Sequence, residues 1–175
     1  MNGSGNMSSG IVDTTHGARV QPDGSVLFHL WAPSCASVGL ELDGAMPAAM
    51  SAQGDGWFQL TSIAAKAGTR YRFVLPDGLR VPDPASRFQP DDIAGPSEVI
   101  DPTAYRWQNT DWKGRPWHEA VLYELHVGSF TEPGTFRAAI GRLDHLAELG
   151  VTAIELMPIA DFPGAHNWGY DGVLL

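Results

Sequence analysis

The hydrophobic residues of this 175-residue chain recur at every second position in its first half. In its last third they instead form continuous runs and a stripe with helical spacing. In the segment 25–33, Val26, Phe28 and Leu30 would share one face of a strand. The segments 37–42, 57–60 and 69–76 alternate in the same way, with Gly- and Asp-rich turns between them. Short alternating strands at this spacing predict an antiparallel β-sandwich that ends near Ile100.

The last third predicts a strand, a helix and a second strand. Residues 120–127 form a continuous apolar run, and residues 151–159 form another. Between them, Thr135 suits a helix N-cap and Gly150 suits the position just after a helix. The apolar stripe of this helix would comprise Phe136, Ala139, Ile140, Leu143, Leu146 and Leu149. A βαβ unit implies parallel strands, whose faces need further neighbours, so we expect the chain to be the front part of a longer protein.

The region between these halves is rich in Pro and Asp, which indicates an ordered connector that lies across a surface. Its apolar bulk for docking would come from Phe88, Ile93, Tyr105, Trp107, Trp112 and Trp117. The predicted organisation is a flexible tail (residues 1–12), a sandwich (13–100), a connector (101–119) and an incomplete α/β unit (120–175).

Charge and composition exclude several classes of protein. The chain has 11 Lys and Arg against 20 Asp and Glu, a net charge of −9 that opposes binding to nucleic acid or anionic membranes. Its apolar runs are too short to span a bilayer, and its single Cys35 cannot form an internal disulfide. The N-terminus lacks the pattern of a signal peptide, so we expect a cytoplasmic protein.

We predict neither a metal nor a cofactor. The six histidines show no HxxxH pair, which argues against a zinc site, and the sequence has no glycine-rich phosphate-binding loop.

The first predicted α/β strand carries two polar side chains on one face. Glu124 and His126 would point inward with Leu122, and His126 lies near the end of the strand, where barrel enzymes build their sites. One interpretation is a buried hydrogen-bonded Glu–His pair, and the other is a direct substrate contact. Glu155 on the second strand is interpreted as a structural interior carboxylate.

The segment 160–173 follows the second strand and mixes aromatic with polar residues. A flat ring such as Trp168 or Tyr170 beside Asn167 and Asp171 suits the apolar face and hydroxyl edge of a sugar. The alternative is an aromatic plug that anchors a long loop. On the sandwich, Trp31 and Trp57 present the same choice between a sugar platform and packing.

Several of these segments resemble a known family. Residues 30–42 (LWAPSCASVGLEL) resemble the N-terminal immunoglobulin-like module of glycogen-branching and related enzymes. Residues 123–136, 146–164 and 167–173 (YELHVGSFTEPGTF, LAELGVTAIELMPIADFPG and NWGYDGV) resemble the barrel opening of the α-amylase superfamily. With its connector, the chain is most similar to the malto-oligosyltrehalose trehalohydrolase family. The resemblance implies a multi-domain fold: an all-β immunoglobulin-like sandwich, then the truncated start of a (β/α)8 TIM barrel.

The resemblance also implies an activity. Family members hydrolyse the α-1,4-glucosidic bond next to the trehalose end of maltooligosyl trehalose by a retaining mechanism, which needs two carboxyl groups about 5–5.5 Å apart. None of the acidic residues Glu124, Glu155, Asp161 and Asp171 matches a catalytic position of the family, so we predict no catalytic residue here and expect the chain alone to be inactive. Tyr170 is the residue expected to stack on the sugar.

The other expected substrate-binding residues and the alternatives complete the prediction. Asn167, Trp168, Asp171 and His126 are expected to shape the sugar site around Tyr170. The alternatives are a non-catalytic α-glucan-binding module and a fragment of a glycogen branching or debranching enzyme.

Overall fold

A computed structural model describes residues 16–174 of the chain. The predicted flexible tail, residues 1–12, lies outside the described residues. The backbone divides into two compact units. The first comprises the described residues up to Arg87 together with Pro96–Ile100, and the second comprises Phe88–Gly95 with the described residues from Asp101 onward.

The first unit contains two antiparallel sheets. The strands of one sheet lie in the order β1-β2-β6-β5, and those of the other in the order β4-β3-β7-β8, with β9 also paired to β7. Their bounds are β1 Gly17–Val20, β2 Val26–Trp31, β3 Gly39–Leu42, β4 Ala48–Ala49, β5 Ser51–Gly54, β6 Trp57–Ser62, β7 Arg70–Val74, β8 Arg80–Val81 and β9 Ser97–Glu98.

The alternation predicted from the sequence decides which side chains are buried. Phe28 of one sheet and Phe73 of the other are fully buried in the same hydrophobic core. The ring of Phe28 also meets that of Tyr71 edge to face, with centroids 4.9 Å apart. Two antiparallel sheets that share one core confirm the predicted sandwich.

The second unit confirms the predicted parallel pair. Strand β10 (Leu122–Leu125) pairs with β11 (Ala153–Leu156) in parallel, with Glu124 opposite Glu155. The first strand is shorter than predicted, because Val127 already begins the single-turn helix α1 (Val127–Phe130).

The predicted single helix is in fact two short helices, α2 (Phe136–Ile140) and α3 (Leu143–Glu148). The break falls at Gly141 and Arg142, where the backbone of Arg142 stays in the helical region but departs from ideal helix dihedrals, at φ −110° and ψ 0°. Glycine weakens a helix interior, and the apolar spacing continues across the break, so the stripe alone does not reveal it.

Both predicted caps of the helical region are present. The Thr135 side chain accepts a hydrogen bond from the backbone N–H of Ala138 at 3.2 Å. Gly150 has a φ of +87°. Its N–H donates to the carbonyl of Ala147, and the N–H of Val151 donates to that of Leu146, which together form a Schellman motif.

Much of the apolar surface predicted to pack is exposed. Of the helical stripe, Ala139 and Leu146 are buried, and the other members are exposed. The connector aromatics are exposed too, and their docking on a surface stays a prediction: Phe88, Tyr105, Trp107, Trp112 and Trp117. None of the helices within residues 16–174 combines the length and the hydrophobicity that a membrane-spanning helix requires.

Candidate functional site

The candidate site lies where the two parallel strands of the second unit end and the segment 157–174 begins. An isolated antiparallel bridge between Asp161 and Leu174 closes this segment into a loop. The N–H of Val173 donates to the carbonyl of Asp161 at 3.0 Å, and the N–H of Asp161 donates to the carbonyl of Leu174. The loop therefore has a fixed base, and its tip returns over the end of β10.

At the tip, the phenol of Tyr170 donates a hydrogen bond of 2.5 Å to Oε1 of Glu124. The contact joins residues 46 positions apart. The pKa of Tyr170 is raised, first by this hydrogen bond and to a smaller degree by desolvation and by the charges of Glu124 and Glu155. The phenol thus stays protonated at neutral pH, and 64% of the residue remains exposed.

A second contact joins His126 to the same loop. Nε2 of His126 lies 3.1 Å from Oδ1 of Asn167. The same oxygen accepts the N–H of Gly169 at 2.7 Å, which identifies it as the amide oxygen. His126 must therefore donate through Nε2–H, and its buried Nδ1 has no hydrogen-bond partner among the described residues.

Two further features shape the loop tip. The backbone N–H of Trp168 donates to Oδ2 of Asp171 at 2.8 Å, and the residue as a whole is 92% exposed. Gly169 has a φ of +100°, and a Cβ there would collide with the end of the Met157 side chain. The Met157 side chain could move, but the left-handed backbone favours glycine between Trp168 and Tyr170.

The structure brings the predicted site residues of this loop, Asn167, Trp168, Tyr170 and Asp171, to one place beside His126. The predicted buried Glu124–His126 pair is not formed. Glu124 is exposed and binds Tyr170, whereas His126 binds Asn167. Alternate residues of a strand are about 7 Å apart, so each reaches a different loop residue.

The structure also shows the environment of Glu155 and the spacing of the side chains that could bind a metal ion. Glu155, interpreted from the sequence as an interior carboxylate, is exposed opposite Glu124. Within residues 16–174, no three His, Cys, Asp or Glu side chains are grouped as they would be around a metal ion.

Sequence reasoning did not single out Gly169, although the glycine between two aromatic residues was a visible signal. It also missed the partnership of Glu124 with Tyr170, for which the local sequence offers no signal.

The outer face of the sheet β1-β2-β6-β5 carries the two tryptophans considered as a sugar platform. Trp31 and Trp57 are directly opposite each other. The His29 ring stacks on Trp57 with centroids 4.5 Å apart, and Trp31 is 55% exposed, with its indole N–H bonded to the carbonyl of Asp55. Packing against His29 occupies one face of Trp57, which leaves Trp31 as the more accessible surface.

Comparison with known proteins adds independent findings. No family model matches the chain. A curated malto-oligosyltrehalose trehalohydrolase from Saccharolobus solfataricus is 45% identical over 161 residues, which cover 92% of this chain and 28% of that protein. The chain therefore spans little more than a quarter of the length of that relative.

Solved structures show the same partial coverage. A protein from Salmonella typhimurium whose crystal structure is provisionally named an alpha amylase is 54% identical to this chain, with a TM-score of 0.87. The match covers 91% of this chain and 27% of the Salmonella chain. A group B Streptococcus pullulanase in complex with maltotetraose is 25% identical to this chain, with a TM-score of 0.66. The match covers 85% of this chain and 24% of the pullulanase chain. These findings confirm the resemblance inferred from the sequence: the chain is homologous to the N-terminal part of malto-oligosyltrehalose trehalohydrolases, and its structural neighbours are α-amylase-family enzymes.

Proposed function

We propose that this chain is the N-terminal part of a glycoside hydrolase that acts on maltooligosyl trehalose. The enzyme would add water across the α-1,4-glucosidic bond next to the trehalose end, and so release trehalose with retention of configuration. The similarity to trehalohydrolases over 92% of the chain supports this assignment. The two reacting carboxyl groups would come from parts of the enzyme outside residues 1–175.

Within this proposal, the first unit is an immunoglobulin-like sandwich and β10, α2, α3 and β11 open a (β/α)8 barrel. The candidate site then lies at the carboxyl ends of the first two barrel strands, which is the face on which barrel enzymes bind substrate. The parallel register of Glu124 with Glu155 supports this arrangement.

The observation that carries the proposal at the level of the site is the exposed, anchored ring of Tyr170. Tyr170 is 64% exposed at this edge, and its ring offers a flat apolar face to a glucosyl ring. Asn167, Asp171, Trp168 and His126 would shape the site around it. The hydrogen bonds of these residues hold the loop itself, so we assign them mainly to its shape.

The proposal is tested in a chimera in which this chain replaces the matching segment of the Saccharolobus solfataricus enzyme. We expect trehalose release from maltooligosyl trehalose. Tyr170→Ala in the chimera should lower turnover by removing the stacking surface, and Tyr105→Ala, an exposed tyrosine of the connector, is the matched control.

Two other outcomes would replace the proposal. A chimera that releases no trehalose, while the same exchange into a glycogen-branching enzyme gives new branch points in amylose, would indicate a fragment of a branching enzyme. A chimera without hydrolysis, combined with calorimetric binding of maltoheptaose to the isolated chain, would indicate a non-catalytic α-glucan-binding module.

A further inference from the structure

We propose that Glu124 is a positioning residue that holds the plane of the Tyr170 ring for stacking on a glucosyl unit. This inference rests on the proposed function, because stacking matters only if the site binds a sugar. Glu124 is not expected to contact the sugar or to take part in bond cleavage. Its role would be exerted through the phenol of Tyr170.

The chemistry of the contact fixes its direction. An ionised carboxylate only accepts hydrogen bonds, so the phenol must donate to Glu124. The O–H bond of a phenol lies in the plane of its ring, and the rotation of a tyrosine ring about its own axis is otherwise loosely restrained. An acceptor held in one place therefore selects the orientation of the ring face as well as the position of the oxygen.

The acceptor is held on a rigid element. Glu124 lies inside β10, which pairs with β11 over its whole length from Leu122 to Leu125. Charge-assisted hydrogen bonds are stronger than neutral ones, and strands position functional groups more tightly than loops do.

The loop backbone is held by contacts that do not involve Glu124. His126 binds Asn167, the carboxylate of Asp171 binds the N–H of Trp168, and Asp161 bridges to Leu174. Loss of the Glu124 carboxylate should therefore free the ring of Tyr170 while the loop keeps its path. This separation distinguishes positioning from a general structural role.

The first experiment is a double-mutant cycle in the chimera described above, with Glu124→Leu, Tyr170→Phe and the double variant. Tyr170→Phe keeps the ring and removes only the donor. We expect each single variant to lower kcat/KM roughly tenfold, and the double variant to be no worse than either single one. Glu124→Gln keeps an acceptor oxygen and should restore most of the loss.

Glu148→Gln is the matched control, because Glu148 is an exposed glutamate at the end of α3. Its kcat/KM should equal that of the parent chimera. Additive losses in the double variant, or full activity of Glu124→Leu beside an impaired Tyr170→Phe, would overturn the positioning role.

The second experiment uses the 175-residue chain itself and needs no activity. The chain has four tyrosines, so ring-labelled tyrosine gives four NMR signals, and Tyr170→Phe assigns one of them. In Glu124→Leu, the titration of Tyr170 should move to lower pH, and the other three signals should stay unchanged.

The two experiments separate the two levels of the proposal. If the pH at which Tyr170 titrates is the same in Glu124→Leu as in the parent, the positioning role is refuted, whatever the activity of the chimera. A shifted titration in the 175-residue chain, together with a chimera that releases no trehalose, refutes the proposed function and leaves the Glu124–Tyr170 contact established.

Discussion

The phenol of Tyr71 donates a hydrogen bond of 2.7 Å to Oδ2 of Asp83, and both side chains are buried in the first unit. The other carboxylate oxygen accepts the N–H of Ala85 at 2.8 Å, and the N–H of Asp83 donates to Oγ of Ser97 at 2.9 Å. Burial raises the pKa of Asp83, although its hydrogen bonds and nearby cations oppose the shift. This network fastens the segment after β8 to strand β7.

Removal of the phenol should destabilise the first unit. Tyr71→Phe leaves a buried carboxylate with one donor fewer, and we expect a loss of about 1–3 kcal/mol in the free energy of unfolding. Urea denaturation of both proteins measures the difference. Tyr105→Phe, at an exposed position, should stay within about 0.5 kcal/mol of the parent. Equal effects of the two variants would show that the Asp83 contact contributes nothing.

The raised pKa of Asp83 also predicts the sign of a pH effect. The unfolded chain releases this proton near pH 3.9, whereas the folded protein keeps it to a higher pH. Between these values the folded state binds more protons, so the contribution of Asp83 to stability is full at low pH and falls as the pH rises.

The parent should therefore lose stability relative to Asp83→Asn as the pH rises above about 4, the pKa of an ordinary aspartate. Urea denaturation of both proteins at several pH values measures this, and the comparison cancels the titration of the remaining carboxylates. A difference between the two proteins that is constant with pH, or that moves in favour of the parent, is the contrary result.

The core offers a test of the shared packing between the two sheets. Phe28 is fully buried against Tyr71, so Phe28→Ala should cost about 3–5 kcal/mol through lost burial and a residual cavity. Phe28→Leu should cost less, because it refills part of that volume. Met46→Ala is the control, since Met46 is 91% exposed and should show almost no effect in thermal denaturation. A small loss in Phe28→Ala would argue against one core shared by both sheets.

Much of the fold could be predicted because its signals are local. The alternation around Phe28 specifies a strand with one buried face, and Thr135 and Gly150 mark helix ends through contacts within a few residues. The break after Ile140 could not be predicted, since the apolar spacing is the same on both sides of it. The exposure of Ile140 and Trp107 could not be predicted either. Burial depends on which residues pack nearby, and the spacing of apolar residues along the chain does not reveal them.

The candidate site was predictable only in part for the same reason. The composition of residues 160–173 points to Asn167 and Tyr170, because aromatic and amide groups stand together in one short loop. Their partners, His126 and Glu124, are 41 and 46 positions away and become partners only through the return of the loop. The alternation of residues along a strand predicts which side chains share a face, but it does not predict which residues of other segments contact that face.

Gly150, in the Schellman motif at the end of α3, and Gly141, at the end of α2, provide a matched pair of glycine variants. Gly150 requires a φ of +87°, so Gly150→Ala should cost about 1 kcal/mol and speed amide exchange at the end of α3. Gly141 has helical geometry at φ −65° and ψ −5°, so Gly141→Ala should leave stability unchanged or raise it slightly. Equal losses in the two variants would mean that the left-handed backbone at Gly150 carries no special cost.

The amide oxygen of Asn167 predicts how the loop tip is held. Asn167→Ala removes the acceptor of both His126 Nε2–H and the Gly169 N–H. Loss of a hydrogen bond worth about 1 kcal/mol should speed amide exchange at Gly169 roughly fivefold, whereas Asn167→Asp keeps an acceptor and should retain most of the protection. Asn109→Ala, in the exposed connector, is the control and should leave Gly169 unchanged. An unaltered exchange rate in Asn167→Ala would mean that the backbone bridge between Asp161 and Leu174 orders the loop by itself, and that His126 does not hold its tip.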